Sequence, residues 1–321
     1  MGVLYDKKKS TFVSLIMRIY PLLDVLALLI VIPAAWLLKN VRRAGVQRLS
    51  RCKKALLNMG VFPIRNNYYE PQFDFREMVK PLSSDRFLPG VNFNVKGQLE
   101  FISKFSFTHE KIDIPKNSFK EGDAEYWYQI IRMLKPKKII EIGSGYSTII
   151  AVEAIESNLK NEIGYVCEHV CIEPFERSWL ESYDVSVIRR KVEDIELNFF
   201  QNLEENDILF IDSSHIIRPQ GDVIYEYLEI LPTLKKGVIV HIHDIFSPKN
   251  YPEKWIKDEV RFWNEQYLLE AFLSGNDCWR VVGGLNYLYH NYYDQLKRVA
   301  PSITINMDQE PSSFYIKKVC D

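Results

Sequence analysis

Apolar runs of strand length alternate with helical stretches from Ala124 to Val319, and this alternation constrains the fold most. The first run is Lys138-Ile139-Ile140-Glu141-Ile142 and the last covers 313–319. Strands that alternate with helices are typical of a parallel sheet with helices on both faces. We predict an α/β fold with a seven-stranded, mostly parallel sheet that ends in a hairpin-like pair. The other predicted strands are 165–172, 185–189, 207–212, 238–243 and 279–282, and the predicted helices include 124–134, 148–159, 221–231 and 255–273.

An apolar segment at 19–38 is broken only by Asp24. A helix of about 20 apolar residues crosses the hydrocarbon core of a bilayer, so the segment is just long enough. Trp36 suits an interfacial anchor, and Pro33 would kink such a helix without forbidding it. A cleavable signal peptide and a buried core helix are the alternatives. The long leader at 1–18 disfavours the first, and the lack of a polar face disfavours the second. We predict one transmembrane helix at 19–38.

Basic residues are more numerous after this segment than before it. Those before it are Lys7, Lys8, Lys9 and Arg18, and those after it are Lys39, Arg42, Arg43, Arg48, Arg51, Lys53 and Lys54. The more basic side of a membrane span normally faces the cytoplasm. We therefore expect a basic juxtamembrane segment and connector at 39–120 and a cytoplasmic domain at 121–321.

Charge and cysteine content exclude some classes of protein. A formal net charge of -1 argues against a nucleic-acid partner, which normally requires a basic excess. An odd number of scattered cysteines does not indicate a disulfide framework, so a reducing, cytosolic location is favoured. Cys167, His169 and Cys171 would share one face of a strand, but no second ligand pair at zinc-finger spacing accompanies them. We expect them to pack in the core.

A glycine-rich loop joins the first predicted strand to a helix and reads Glu141-Ile142-Gly143-Ser144-Gly145-Tyr146-Ser147-Thr148. Glycines allow a sharp turn and a close approach to a ligand, and the free N–H groups of a helix N-terminus suit an anionic group. In a dinucleotide fingerprint a third glycine would occupy the position of Thr148. Thr148 and the late strand pair thus disfavour the alternative of an oxidoreductase or epimerase that binds a nicotinamide dinucleotide.

Four motifs together resemble those of a known family. Glu141-x-Gly143-x-Gly145 resembles the first motif of class I S-adenosylmethionine methyltransferases, which have a Rossmann-like fold. Cys171-Ile172-Glu173-Pro174 resembles the acidic end of their second strand. Phe210-Ile211-Asp212-Ser213-Ser214-His215 and His241-Ile242-His243-Asp244 are similar to segments of methyltransferase domain family twenty-four. The resemblance covers roughly 60–321.

The resemblance implies an S-adenosylmethionine site built from Glu141, Gly143, Ser144, Gly145, Tyr146, Ser147, Thr148, Glu173 and Asp194. The glycines would pass close to the cofactor, and the residues at 146–148 would receive its carboxylate. Glu141 would lie near the amino-acid part of the cofactor. Glu173 would accept hydrogen bonds from both ribose hydroxyls, and Asp194 is a weaker candidate for the adenine edge.

Polar residues follow the fourth and fifth predicted strands: Asp212 with His215, and His243 with Asp244. Ligands of open α/β sheets bind beyond the carboxyl ends of the strands, so these side chains should converge. In one mechanism His215 or His243 is a general base that Asp212 or Asp244 orients. In the other, Asp212 and Asp244 bind a divalent metal such as Mg²⁺. His241 lies deeper and is expected to be a core histidine with satisfied hydrogen bonds.

The predicted function is O-methylation, by S-adenosylmethionine, of a small-molecule, sugar or lipid-linked acceptor at the cytoplasmic face of a membrane. One alternative is the nicotinamide-dependent enzyme described above. The other is a non-catalytic, membrane-tethered assembly protein that keeps the methyltransferase fold. The intact Gly143, Gly145, Glu173 and Asp212 argue against that second alternative.

Overall fold

A computed structural model of the chain describes residues 2–74, 77–114, 119–175, 179–306 and 309–321, and the side chains within these ranges from 19 onward. The chain divides into two compact units, one that ends at Val79 and one that begins at Lys80.

The first unit is dominated by one long helix. Helix α1 covers Gly2–Ala44 and contains Pro21 and Pro33, and helix α2 covers Ser50–Asn58. Within the described residues, Ile19–Ala44 is the one helical segment long and apolar enough to cross a membrane; its most apolar window has a mean hydropathy of 2.3 and contains no buried residue. The predicted hydrophobic helix is therefore present as an exposed apolar rod.

The second unit contains a seven-stranded sheet in the order β3-β2-β1-β4-β5-β7-β6. Its strands are β1 (Lys138–Ile142), β2 (Glu168–Ile172), β3 (Ser186–Ile188), β4 (Ile208–Ile211), β5 (Ile239–Ile242), β6 (Trp279–Gly284) and β7 (Phe314–Lys318). Strands β1 to β5 are parallel, whereas β7 runs antiparallel to both β5 and β6. The predicted sheet and its late antiparallel pair are confirmed.

Helices cover both faces of this sheet, as predicted. They are α3 (Val95–Ile102), α4 (Asp123–Leu134), α5 (Tyr146–Asn161), α6 (Leu197–Gln201), α7 (Asp222–Tyr225), α8 (Leu231–Thr233), α9 (Glu265–Leu273), α10 (Leu285–Asn291) and α11 (Tyr293–Val299). Alternate residues of β1 enter separate cores: Ile139 packs with Trp127 of α4, and Ile140 packs with Val223 of α7. This alternation follows from the two-residue period of a strand.

The helix predicted at 255–273 is wrong in its first half. A short π-helical stretch covers Lys254–Asp258, an irregular segment with Val260 at φ +53° follows, and α9 begins only at Glu265. The guanidinium of Arg261 lies 4.4 Å from the ring centre of Trp255 and 4.5 Å from that of Trp263. These tertiary contacts stabilise the break, and a hydrophobic period cannot reveal them.

The expectation that the cysteines stay unpaired is wrong for two of them. Cys278, just before β6, and Cys320, just after β7, form a disulfide. It closes one end of the antiparallel pair at the sheet edge, where the start of β6 lies beside the end of β7. Cys171 is fully buried and Cys167 half-buried, both as free thiols, in agreement with the core packing predicted for them.

Candidate active site

Two cavities lie at the carboxyl ends of β1, β2, β4 and β5. Cavity A has a volume of 500 Å³ and is bounded by the 143–147 loop, His243, Asp244 and the 254–261 segment. Cavity B has a volume of 670 Å³ and is bounded by 172–175, 191–193 and 212–214. Gly143, Glu173 and Asp212 line both cavities. The two cavities therefore form one cleft that the glycine loop crosses.

Gly143 occupies a position that no other residue fits. Its φ is +78°, and its N–H donates to the carbonyl oxygen of Ile172 over 3.0 Å. A Cβ atom at this position would lie 2.0 Å from the carbonyl oxygen of Asp212. Because the loop passes directly over the end of β4, the missing side chain of Gly143 keeps the cleft open.

Thr148 and Glu141 support this loop from below. Thr148 Oγ1 accepts a hydrogen bond from the Gly145 N–H at 3.2 Å and donates to Glu141 Oε2 at 2.6 Å. His169 Nε2 lies 3.1 Å from the same carboxylate oxygen. Ser144, Gly145, Tyr146 and Ser147 line cavity A, whereas Thr148 and Glu141 are fully buried and line neither cavity.

Glu173 is held at the junction of the two cavities. Its Oε2 accepts from the Ser144 N–H at 3.2 Å and its Oε1 from the Phe175 N–H at 2.9 Å. The structure places Asp194 elsewhere: it lines a separate cavity with Tyr225, whereas its neighbour Glu193 lines both that cavity and cavity B. Both belong to the 3₁₀ turn Val192–Asp194, in which adjacent side chains point in different directions.

The four polar residues predicted at the strand ends do converge. Asp212 Oδ1 lies 3.2 Å from His215 Nε2 and 3.6 Å from His243 Nδ1. Asp244 lies 3.7 Å from His215 Nε2 through Oδ2 and 3.5 Å from His243 Nδ1 through Oδ1. His215 and Asp244 have φ values of +60° and +58°, in the left-handed region. Strained backbone of this kind is found most often at functional sites.

Two further carboxylates hold the histidines from behind. Glu265 Oε2 lies 2.7 Å from His215 Nδ1, and Asp123 Oδ2 lies 3.7 Å from His243 Nε2. Asp123 also accepts from the N–H groups of Ser312 and Ser313 at 3.0 and 2.7 Å. Sequence reasoning missed both acids because each begins a helix that looks ordinary in sequence, far along the chain from its histidine.

Comparison with known proteins agrees with this geometry. Residues 140–245 match a protein family described as a methyltransferase domain. This segment is therefore similar to that methyltransferase family. The match is narrower than the stretch over which the motifs resemble the family, and it contains the glycine loop, Glu173 and the ends of β4 and β5.

The individual proteins that this chain resembles share little sequence identity with it. An uncharacterized protein from Archaeoglobus fulgidus is 26% identical over 173 residues, which cover 46% of this chain and 76% of that protein. The O-methyltransferase TomG from Streptomyces achromogenes, solved with SAM, is 17% identical with a TM-score of 0.39, covering 69% of this chain and 90% of its own. An O-methyltransferase from Bacillus cereus, solved with SAH, is 12% identical with a TM-score of 0.36, covering 70% of this chain and 90% of its own.

The polar cluster at the ends of β4 and β5 strongly shifts the pKa values of its own members. Burial favours the neutral form of both His215 and His243, but the surrounding carboxylates outweigh it and raise both pKa values well above the ordinary range. Burial likewise opposes ionisation of Asp212, but His243 and His215 hold its pKa well below the usual value. At neutral pH Asp212 is therefore ionised between two imidazolium rings.

His241 is buried, but the prediction that its hydrogen bonds are satisfied is wrong. Neither ring nitrogen has a hydrogen-bond partner among the described residues. The ring stacks on Tyr315 with the ring centres 4.1 Å apart and meets the edge of Phe210 at 4.5 Å. Burial lowers the pKa of His241 well below the ordinary value, so the ring is neutral and packs as an aromatic side chain.

The predicted magnesium ligands Asp212 and Asp244 lie beside an imidazole nitrogen as well as carboxylate oxygens. Asp212, His215 and Asp244 each offer a ligand atom within 4.8 Å of the others. Magnesium prefers six oxygen ligands in an octahedron, whereas here imidazole nitrogens lie between the two carboxylates. The donor set does not fit Mg²⁺, and we derive no step through a metal.

Proposed function

We propose that this chain transfers a methyl group from S-adenosylmethionine to a hydroxyl oxygen of an acceptor at the cytoplasmic face of a membrane. One observation carries the proposal: Gly143, Glu173 and Asp212 line both halves of the cleft. A ligand that extends from cavity B into cavity A therefore passes the backbone of Gly143, the fixed carboxylate of Glu173 and Asp212 beside the two histidines.

The residues of the cleft fit S-adenosylmethionine. Backbone N–H groups orient both oxygens of Glu173 at the junction of the cavities, and a carboxylate there suits a pair of ribose hydroxyls. Ser144, Tyr146 and Ser147 line cavity A at the beginning of α5, where N–H groups suit a carboxylate. The nucleoside would thus lie in cavity B and the amino-acid part in cavity A.

S-adenosylmethionine supplies a methyl group on a positively charged sulfur. His243 lines cavity A, whereas His215 lines neither cavity, so we assign the role of general base to His243. Positive charge bound beside its ring disfavours the imidazolium form and brings its pKa down towards neutrality. Asp212 and Asp123 lie on two sides of the ring, and His215 helps to keep Asp212 ionised. An acceptor hydroxyl in cavity A can then lose its proton to His243.

The acceptor has room beyond cavity A. A third cavity of 400 Å³, cavity C, shares Phe246, Lys254, Trp255 and Glu310 with it. Tyr251, Lys249 and His290 also line cavity C. Aromatic rings beside carboxylates and ammonium groups suit a hydroxylated molecule larger than one ring. This supports a sugar or lipid-linked acceptor, and the apolar segment Ile19–Ala44 would hold the chain at the membrane that carries it.

Calorimetric titration of the full-length chain in detergent tests the cofactor. S-adenosylmethionine should bind in the micromolar range, and NADH should not bind. Binding of NADH in place of S-adenosylmethionine would contradict the proposal and favour the oxidoreductase alternative. Transfer of a labelled methyl group to the lipid-extractable or the water-soluble fraction of a cell extract then separates lipid-linked from soluble acceptors.

A further inference from the structure

Helix α2 exposes an apolar stripe that no described part of the chain covers. Its residues Cys52, Ala55, Leu56 and the following Met59 are spaced so that they fall on one side of a helix. Leu56 is half-buried and the other three are exposed, with 78% of the surface of Met59 accessible. An isolated nine-residue helix is marginal in water, so this one needs a surface on which to pack.

The opposite side of α2 is basic. Lys53 and Lys54 lie there, on either side of the exposed Leu57, whereas Arg51 lies beside the apolar stripe and Arg48 immediately precedes the helix. No acidic residue occurs between Asp24 and Glu70. The segment therefore offers an apolar stripe with positive charge around it and no internal negative charge to neutralise it.

The position of α2 indicates what covers the stripe. Five residues, 45–49, separate it from the end of α1 at Ala44, the more basic end of the apolar segment Ile19–Ala44. If that segment spans a bilayer, five residues cannot carry α2 far from the headgroups. A basic amphipathic helix at this depth buries its apolar side at the acyl boundary and keeps its charges among the phosphates.

We propose that α2 lies in the membrane interface and binds anionic phospholipid headgroups. The proposal rests on the membrane span that is part of the proposed function, but it is independent of methyl transfer. Cys52, Ala55, Leu56 and Met59 face the acyl chains, and Arg51, Lys53 and Lys54 contact lipid phosphates. Each such contact near an anionic surface should change the ratio of docked to undocked helix roughly fivefold.

Cys52 provides a reporter for the test, since it is the one exposed thiol among the described residues. The full-length chain, labelled at Cys52 with an environment-sensitive fluorophore, is placed in vesicles of phosphatidylcholine with phosphatidylglycerol. We expect lipids brominated near the glycerol backbone to quench the probe. Removing phosphatidylglycerol, adding salt, or introducing Arg51→Gln, Lys53→Gln and Lys54→Gln should each reduce the quenching.

Two matched variants, both with Cys52→Ala, keep the outcomes distinct. A probe on Asn58→Cys, at the polar side of α2, should be quenched less than one on Cys52. A probe on Leu29→Cys, read with lipids brominated deep in their acyl chains, reports insertion of the span itself. Quenching at Leu29→Cys without quenching at Cys52 would overturn the interfacial helix and leave the span intact. Absence of quenching at both would overturn the span as well, and S-adenosylmethionine binding would still test the enzyme separately.

Discussion

Replacement of Gly143 by alanine tests the structural basis of the cofactor cleft. Two contributions to the loss of folding stability are expected, and the structure distinguishes them. At φ +78° any residue with a Cβ is destabilised by about 1–2 kcal/mol. The new Cβ would also lie 2.0 Å from the Asp212 carbonyl oxygen, so the end of β4 must retreat by at least 1.4 Å to restore ordinary contact. Such overpacking costs about 1–3 kcal/mol more.

Gly164→Ala is the matched control for this experiment. Gly164 has a similar φ of +88°, but nothing lies within 4 Å of its missing Cβ. It should therefore show only the first cost. In thermal unfolding of the full-length chain in detergent, we expect Gly143→Ala to melt roughly 2–10 °C below Gly164→Ala. Gly164→Ala should bind S-adenosylmethionine as the unchanged chain does, whereas Gly143→Ala should bind at least about tenfold more weakly, because the peptide it displaces carries Asp212.

Equal melting temperatures for the two variants would refute the reasoning, since the close approach of the loop to β4 would then cost nothing. Normal S-adenosylmethionine binding by a destabilised Gly143→Ala would refute the second part alone. In that case the loop would support the fold without shaping the cofactor site.

Three further predictions follow from the same geometry. Glu173→Gln should weaken S-adenosylmethionine binding roughly tenfold to hundredfold in calorimetry, because it removes hydrogen bonds to a charged group. Asp194→Asn should leave the binding unchanged. Equal losses of affinity in the two variants would contradict the assignment of the ribose contact to Glu173. Since the pKa of His243 is raised in the folded state, its contribution to stability is complete below about pH 6.5 and is lost as the pH rises through the folded value. His243→Gln should therefore flatten the alkaline fall in melting temperature, and an unchanged slope would show that other groups cause it. The cytoplasm keeps thiols reduced, so in a cytoplasmic domain Cys278 and Cys320 should both react when cells are lysed in the presence of an alkylating reagent. If mass spectrometry instead shows that the two cysteines are protected as a disulfide, the domain lies in an oxidising compartment.

Local patterns along the chain were sufficient to determine the sheet and the edge at which the site lies. Hydrophobic runs with a two-residue period set the strands, and the glycine loop between β1 and α5 marked the place where a ligand can approach the backbone. Because parallel strands end at a common edge, the sequence predicts that Asp212 and His243 lie close together. These features depend on neighbours in sequence, which is why the sequence alone predicts them.

Packing, both between distant segments and within irregular local segments, decided the rest. Glu265 and Asp123 reach the histidines from helices whose positions only packing sets, and their charges determine the protonation of both rings. The break before α9 depends on Arg261 meeting two tryptophans, and the sulfur atoms of Cys278 and Cys320 meet because β6 pairs with β7. Which of two adjacent acids enters cavity B depends on the direction of one turn. Such features arise from three-dimensional packing, and no local period encodes them.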